Sequence, residues 1–201
     1  MHLPIASRWF SQNHAGMLIG MKSPSAPVSV SRWQLAASYA ARAHEHQYRK
    51  DKKTPYIAHP MRVAMVVMHV FKCDDEIAIC TAILHDTIED TPTDFDAIEK
   101  RFGIEIADCV ATLTKNMLLR EPKREADYDK RLSKGSWQAR LVKLADVYDN
   151  GLEIPRESMR KKCIQRCKRA LELTENDTEH EAIVTARSAV AQVLASLQAD
   201  S

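Results

Sequence analysis

The stretch Ile77-Ala78-Ile79-Cys80-Thr81-Ala82-Ile83-Leu84-His85-Asp86-Thr87-Ile88-Glu89-Asp90 decides how this chain is read. Asp74 or Asp75 can cap a helix that runs through Ile77, Ile79, Ala82, Ile83 and Leu84 and ends near Thr91-Pro92. On a helix of about 3.6 residues per turn, positions 85, 86, 89 and 90 fall within less than half the circumference. Four ionisable groups then face one point. A folded chain rarely gathers that much unpaired charge unless a metal or a substrate neutralises it.

Working outward, two more residues join this set. His59 precedes Pro60 at a loop-to-helix junction, and Asp146 opens Asp146-Val147-Tyr148-Asp149-Asn150. The helix that brings in Asp146 can be capped by Ser136 and buries Leu141, Val142, Leu144 and Ala145. Ser31-Arg32-Trp33-Gln34 fits a capping box, so a first helix should run to about Gln47. Tyr48 to Tyr56 reads as a basic loop. A helix then begins around Pro60 and turns Val63, Val66, Val67 and Val70 inward. Further helices are expected at 94–102 and 104–119, split by Gly103, and at 156–175 and 178–199. The charged stretch 120–134 reads as mobile. Alternating strand patterns are absent and glycines number only 5, so the expected fold class is all-α.

Charged residues make up 28% of the 201 and the hydrophobic set 45%, an ordinary globular balance. A net charge of +2 gives no global field for nucleic acid, and no uninterrupted apolar run approaches the ~20 residues of a membrane span. No nucleic-acid or membrane partner is therefore expected. Five cysteines, an odd number on amphipathic segments, read as packed thiols in a cytoplasmic protein. Residues 1–30, with Pro4, Pro24 and Pro27, read as a flexible arm ahead of a domain over 31–201.

Two imidazole nitrogens and two carboxylate oxygens from His59, His85, Asp86 and Asp146 suit Mn²⁺ or Fe²⁺ and tolerate Zn²⁺ or Mg²⁺. The chemistry of such an ion is phosphoester hydrolysis. Glu89 and Asp90 can then serve as general base or orient water, and Asn150 can hold an oxygen without adding charge. The loop Arg49-Lys50-Asp51-Lys52-Lys53-Thr54 reads by itself as a solvated basic loop; beside an anionic substrate it becomes a phosphate- and base-recognition element. The basic residues from Arg156 to Arg169 wrap much of a helix and read as an ordinary exposed surface.

Arg49-Lys50-Asp51, Thr54-Pro55-Tyr56-Ile57-Ala58-His59-Pro60, Ile83 to Thr91, and Leu141-Val142-Lys143-Leu144-Ala145-Asp146 resemble the hydrolase domain of the Rel/Spo alarmone enzymes, within the HD-domain metal-dependent phosphohydrolases. The similarity covers roughly residues 33–152 and is that of a stand-alone small alarmone hydrolase. It implies an HD-domain helical bundle with a metal site between helices. The implied activity is Mn²⁺-dependent removal of the 3′-pyrophosphate from guanosine tetra- or pentaphosphate. His59, His85, Asp86 and Asp146 would be ligands, with Glu89 and Asp90 on the attacking water. Asn150 would contact the substrate near its 3′ group, Arg49 and Lys50 would flank the guanine, and Tyr56 would help close that pocket. Three features depart from the family: a loop between Asp51 and Thr54 about one residue shorter than in animal members, Leu152 where many members carry a basic residue, and a poorly matched segment from Lys115 to Lys134, from which no phosphate-binding residue is carried over. Another nucleotide phosphate as substrate, a nucleotide sensor without turnover, and a nucleic-acid-binding helix at 156–169 are the competing readings.

Overall fold

The computed structural model describes residues 29–153 and 159–199. The arm expected over 1–30 lies almost wholly outside the described residues, as does the start of the helix expected at 156.

The core is built around two helices, α3 (Glu76–Leu84) and α8 (Trp137–Leu152). Every residue of α3 from Ala78 to Leu84 is buried, because α1 (Arg32–Ala43), α2 (Ala58–Met65), α6 (Ile104–Leu113) and α8 pack around it. A helix apolar on all sides can only be central. Asp75 starts α3 by accepting from Ala78 N at 2.8 Å, and Ser136 starts α8 by accepting from Ala139 N at 3.3 Å. At the head of α1, Gln34 Oε1 accepts from Ser31 N at 3.0 Å.

After α2 the chain continues as a π-helical segment, Val66–Val70, which buries Val66 and Val67 as expected and leaves Val70 half-buried. On the far side, α9 (Arg160–Leu173) and α10 (Glu181–Ala199) lie against α8. α10 is long and apolar enough by composition to cross a membrane, yet Ile183, Ala186, Val190, Val193 and Leu197 form a buried stripe against the bundle. All five cysteines are buried free thiols, as their placement in the sequence suggested. No strand is present among the described residues, and the fold is all-α as predicted.

Three departures from the sequence reading bear on the site. The helix expected to run to Thr91 ends at Leu84, and a single turn, α4 (Thr87–Asp90), follows. Thr87 Oγ1 bonds the Leu84 carbonyl at 2.7 Å, offering that carbonyl a side-chain partner in place of the ladder. His85 and Asp86 therefore sit in a break between helices rather than within one. The helix expected over 104–119 stops at Leu113, where Thr114 turns to extended backbone. Finally, the stretch 120–134, read as mobile, is α7 (Glu121–Lys134), with Tyr128 and Leu132 one turn apart and buried. The charge count concealed that short apolar seam. Between α7 and the earlier helices, α5 (Phe95–Phe102) joins α6 through Gly103, whose φ of 91° suits glycine.

Candidate metal centre

His59 comes from the first turn of α2, His85 and Asp86 from the α3–α4 break, and Asp146 from the middle of α8. One ligand atom from each of His59, His85 and Asp146 lies within 4.8 Å of the others. Asp86 Oδ2 is 3.1 Å from His85 Nε2 and 3.7 Å from His59 Nε2, and Asp146 Oδ1 is 3.4 Å from His59 Nε2. The four residues named from the sequence thus meet at one point.

The other nitrogen of each imidazole is already engaged. His59 Nδ1 lies 2.7 Å from Asp149 Oδ2, and His85 Nδ1 lies 2.7 Å from the Ala82 carbonyl. A carboxylate and a carbonyl only accept, so both Nδ1 atoms carry hydrogen, and in the neutral rings both Nε2 atoms offer lone pairs to the shared point. His85 Nε2 is buried and makes no hydrogen bond. A buried ring nitrogen left without a hydrogen-bond partner beside two carboxylates suits a cation site. Nitrogen and oxygen donors in this proportion fit a divalent ion of the Mn²⁺, Fe²⁺ or Zn²⁺ type.

Without an ion the charges settle against each other. Burial pushes His85 down, but the facing Asp86 and Asp146 carboxylates override it and raise the imidazole to about 9. For Asp86, burial acts upward and the His85 charge prevails, bringing it to about 2. Asp146 feels the same burial and is held well below the usual range, chiefly by Lys143. Lys143 is a residue whose role sequence reasoning missed: its Nζ bonds Asp146 Oδ2 at 2.9 Å and stands over the Tyr128 ring.

A cavity of about 270 Å³ opens over this point, and Glu89, Asp90, Asn150, Arg49, Lys50 and Tyr56 all reach its wall. Glu89 Oε2 accepts from Lys115 N at 2.7 Å, from the segment after α6 that was expected to be helical. Burial raises the Glu89 carboxyl against that bond, and burial together with Asp86 raises Asp90. Tyr56 does more than edge the pocket: its hydroxyl lies 2.7 Å from Asp86 Oδ2 and 3.0 Å from Asp90 Oδ2, linking the two carboxylates. Asn150 donates to Asp146 Oδ1 at 2.5 Å and accepts from Arg49 at 3.0 Å. Arg49 also pairs with Glu153 at 2.9 Å, so its guanidinium is anchored at the wall.

The Arg49 loop is held by Asp51, whose carboxylate takes Lys53 N, Thr54 N and Thr54 Oγ1 and is pulled down to about 2. Lys52 turns the loop with φ of 60°. Arg166 and Arg169 of α9 also line the cavity, which corrects the reading of that basic helix as plain surface. Buried Cys163, Cys167 and Ala170 supply the seam that orients it. Leu152 is 65% exposed and lies outside the cavity lining.

An all-α bundle that brings a histidine from one helix, a His-Asp pair from a helix break and an aspartate from a third helix to one point is the plan of an HD domain. A family model described as HD domain matches residues 36–150, and the chain belongs to that family; it is a hydrolase. Curated relatives named guanosine-3′,5′-bis(diphosphate) 3′-pyrophosphohydrolase include one from Xenopus tropicalis, 39% identical over 122 residues, covering 60% of this chain and 68% of the relative. One from Homo sapiens is 40% identical over 116 residues, covering 57% and 65%. One from Aquifex aeolicus is 36% identical over 141 residues, 68% of this chain but 20% of that longer protein. The chain thus aligns with about two thirds of the length of the animal relatives. A solved structure titled "A metazoan ortholog of SpoT hydrolyzes ppGpp and plays a role in starvation responses" shares the fold. Its TM-score is 0.72 at 24% identity, over 85% of this chain and 98% of that one.

Proposed function

We propose that the chain hydrolyses guanosine 3′,5′-bis(diphosphate) to GDP and pyrophosphate with one Mn²⁺ held by His59, His85, Asp86 and Asp146. The observation that carries this reading is the pair of imidazoles, each tied at Nδ1 and open at Nε2 toward the same two carboxylates. The relatives' names supply the substrate. When bound, such an ion supplies Lewis-acid neutralisation of phosphoryl charge and a lowered pKa for water.

The chain's own residues supply the rest. Glu89, raised by burial, takes the proton of the attacking water, and Asp90 orients that water with Tyr56. Water oxygen bonds to phosphorus, the bond from phosphorus to the ribose 3′ oxygen breaks, and the proton goes to that oxygen. Asn150 holds the 3′ end of the substrate, while Arg49 and Lys50 flank the guanine from the loop that Asp51 fixes. The cationic side chains of Arg166 and Arg169 favour an anionic substrate in the same cavity. As for organisation, the catalytic unit is the domain over 31–201.

Product analysis tests this. Purified protein incubated with guanosine tetraphosphate and Mn²⁺ should release GDP and pyrophosphate, and chelator should stop it. Intact substrate from a protein that binds Mn²⁺ would refute the assignment of substrate.

A further inference from the structure

We propose that Asp149 is a positioning residue for the metal centre, fixing His59 in the tautomer that leaves Nε2 open to the ion. The inference rests on the metal reading above and adds a residue to it. Asp149 is three positions past Asp146 on α8 and only 6% exposed. Its Oδ2 takes the His59 Nδ1 hydrogen at 2.7 Å. Nε2 of the same ring then faces Asp146 Oδ1 and Asp86 Oδ2 at 3.4 and 3.7 Å. A proton on Nε2 would point into those carboxylates and close the site to a cation.

The carboxylate is itself held. Arg62, one turn beyond His59 on α2, reaches it with Nε to Oδ1 at 2.7 Å and Nη2 to Oδ2 at 3.0 Å. Two parallel bonds from a planar fork fix the plane of the carboxylate as well as its place. Arg62 also pairs with Glu153, which pairs with Arg49. The His59 side of the centre is therefore braced by Asp149 on α8, Arg62 on α2, Glu153 just past the end of α8 and Arg49 from the loop, none of which needs to touch the ion. A carboxylate behind a ligating imidazole also makes the ring a stronger donor.

Two variants and one spectrum test it. In metal-free protein with ¹⁵N-labelled histidine, at alkaline pH where the ring is neutral, His59 should show Nδ1–H and a bare Nε2. Asp149→Leu removes the acceptor, and hydrogen on Nε2 should appear. Titration with Mn²⁺ alone should then show affinity down about 10- to 100-fold. Asp149→Asn keeps an oxygen and should fall between that variant and the wild type. Cooperative melting of each variant confirms folding. Either an Nε2–H signal from wild-type His59, or two folded variants that bind Mn²⁺ within about twofold of wild type, overturns the proposal. A wild type that binds no Mn²⁺ refutes the metal reading, while the spectrum still reads the tautomer. Should Asp149→Leu not fold, the wild-type spectrum and Asp149→Asn decide.

Discussion

Replacing Lys143 with methionine separates folding energy from metal binding at one position. The Lys143 ammonium, on a side chain 17% exposed, pairs with Asp146 Oδ2 at 2.9 Å, and its pKa is raised: desolvation acts downward, but Asp146 outweighs it. Methionine keeps most of the aliphatic stem over Tyr128 and removes only the charge and its bonds. Breaking a buried pair by deleting one partner costs about 3–5 kcal/mol, because the other charge is left uncompensated. Asp146 keeps some compensation, since Asn150 donates to Oδ1 and His59 lies 3.4 Å away. The loss should therefore fall at the lower end, about 3 kcal/mol in metal-free protein. With Mn²⁺ present the ion takes over the neutralising role, and a neighbouring cation no longer opposes it. Mn²⁺ should then stabilise Lys143→Met more than it stabilises wild type. Urea denaturation with and without Mn²⁺ measures both terms. A metal-free loss under about 1 kcal/mol, or a smaller Mn²⁺ gain in the variant, would refute the reasoning.

Three further outcomes are expected. Glu89→Gln should bind Mn²⁺ like wild type and lose turnover by about 10²- to 10⁴-fold, read by metal titration beside steady-state rates. Gly151→Ala places a Cβ 2.6 Å from Val193 Cγ1 of α10. The overpacking cost of about 1–3 kcal/mol opposes a helix-propensity gain of about 1 kcal/mol. Val193 is β-branched and yields little, so a net loss of about 1 kcal/mol is expected in denaturation, with recovery in Gly151→Ala/Val193→Ala. In metal-free protein the raised His85 contributes stability that is fully present below its unfolded pKa of about 6.5 and lost as pH rises through about 9. The midpoint of metal-free unfolding should fall across that window, while Mn²⁺ affinity rises because the ligand is the neutral ring.

The sequence carried the helices wherever a cap and an apolar period coincided: Asp75 before α3, Ser136 before α8, and the Ser31–Gln34 pair before α1. It also carried the convergence of His59, His85, Asp86 and Asp146, because each sits beside an apolar run that sets its direction. What escaped was decided by partners distant in sequence. The break after Leu84 depends on a Thr87 side-chain bond that periodicity does not register. Tyr128 and Leu132 were hidden among fourteen mostly charged residues of α7, where one apolar pair is enough to dock a helix. Asp149 and Arg62 each lie three positions from a named ligand, on Asp146 and His59 respectively, and that spacing was a signal left unread. Arg166 and Arg169 could be placed at the cavity only once the buried cysteines fixed the face of α9.

Metal stoichiometry tests the centre most directly. Wild type and Asp86→Ala, each stripped with chelator and shown to be folded, are titrated with Mn²⁺ and the bound ion is counted. One ion per chain for wild type and none for Asp86→Ala is the predicted result. Equal binding by the two proteins, or no binding by either, contradicts a metal centre built on His59, His85, Asp86 and Asp146.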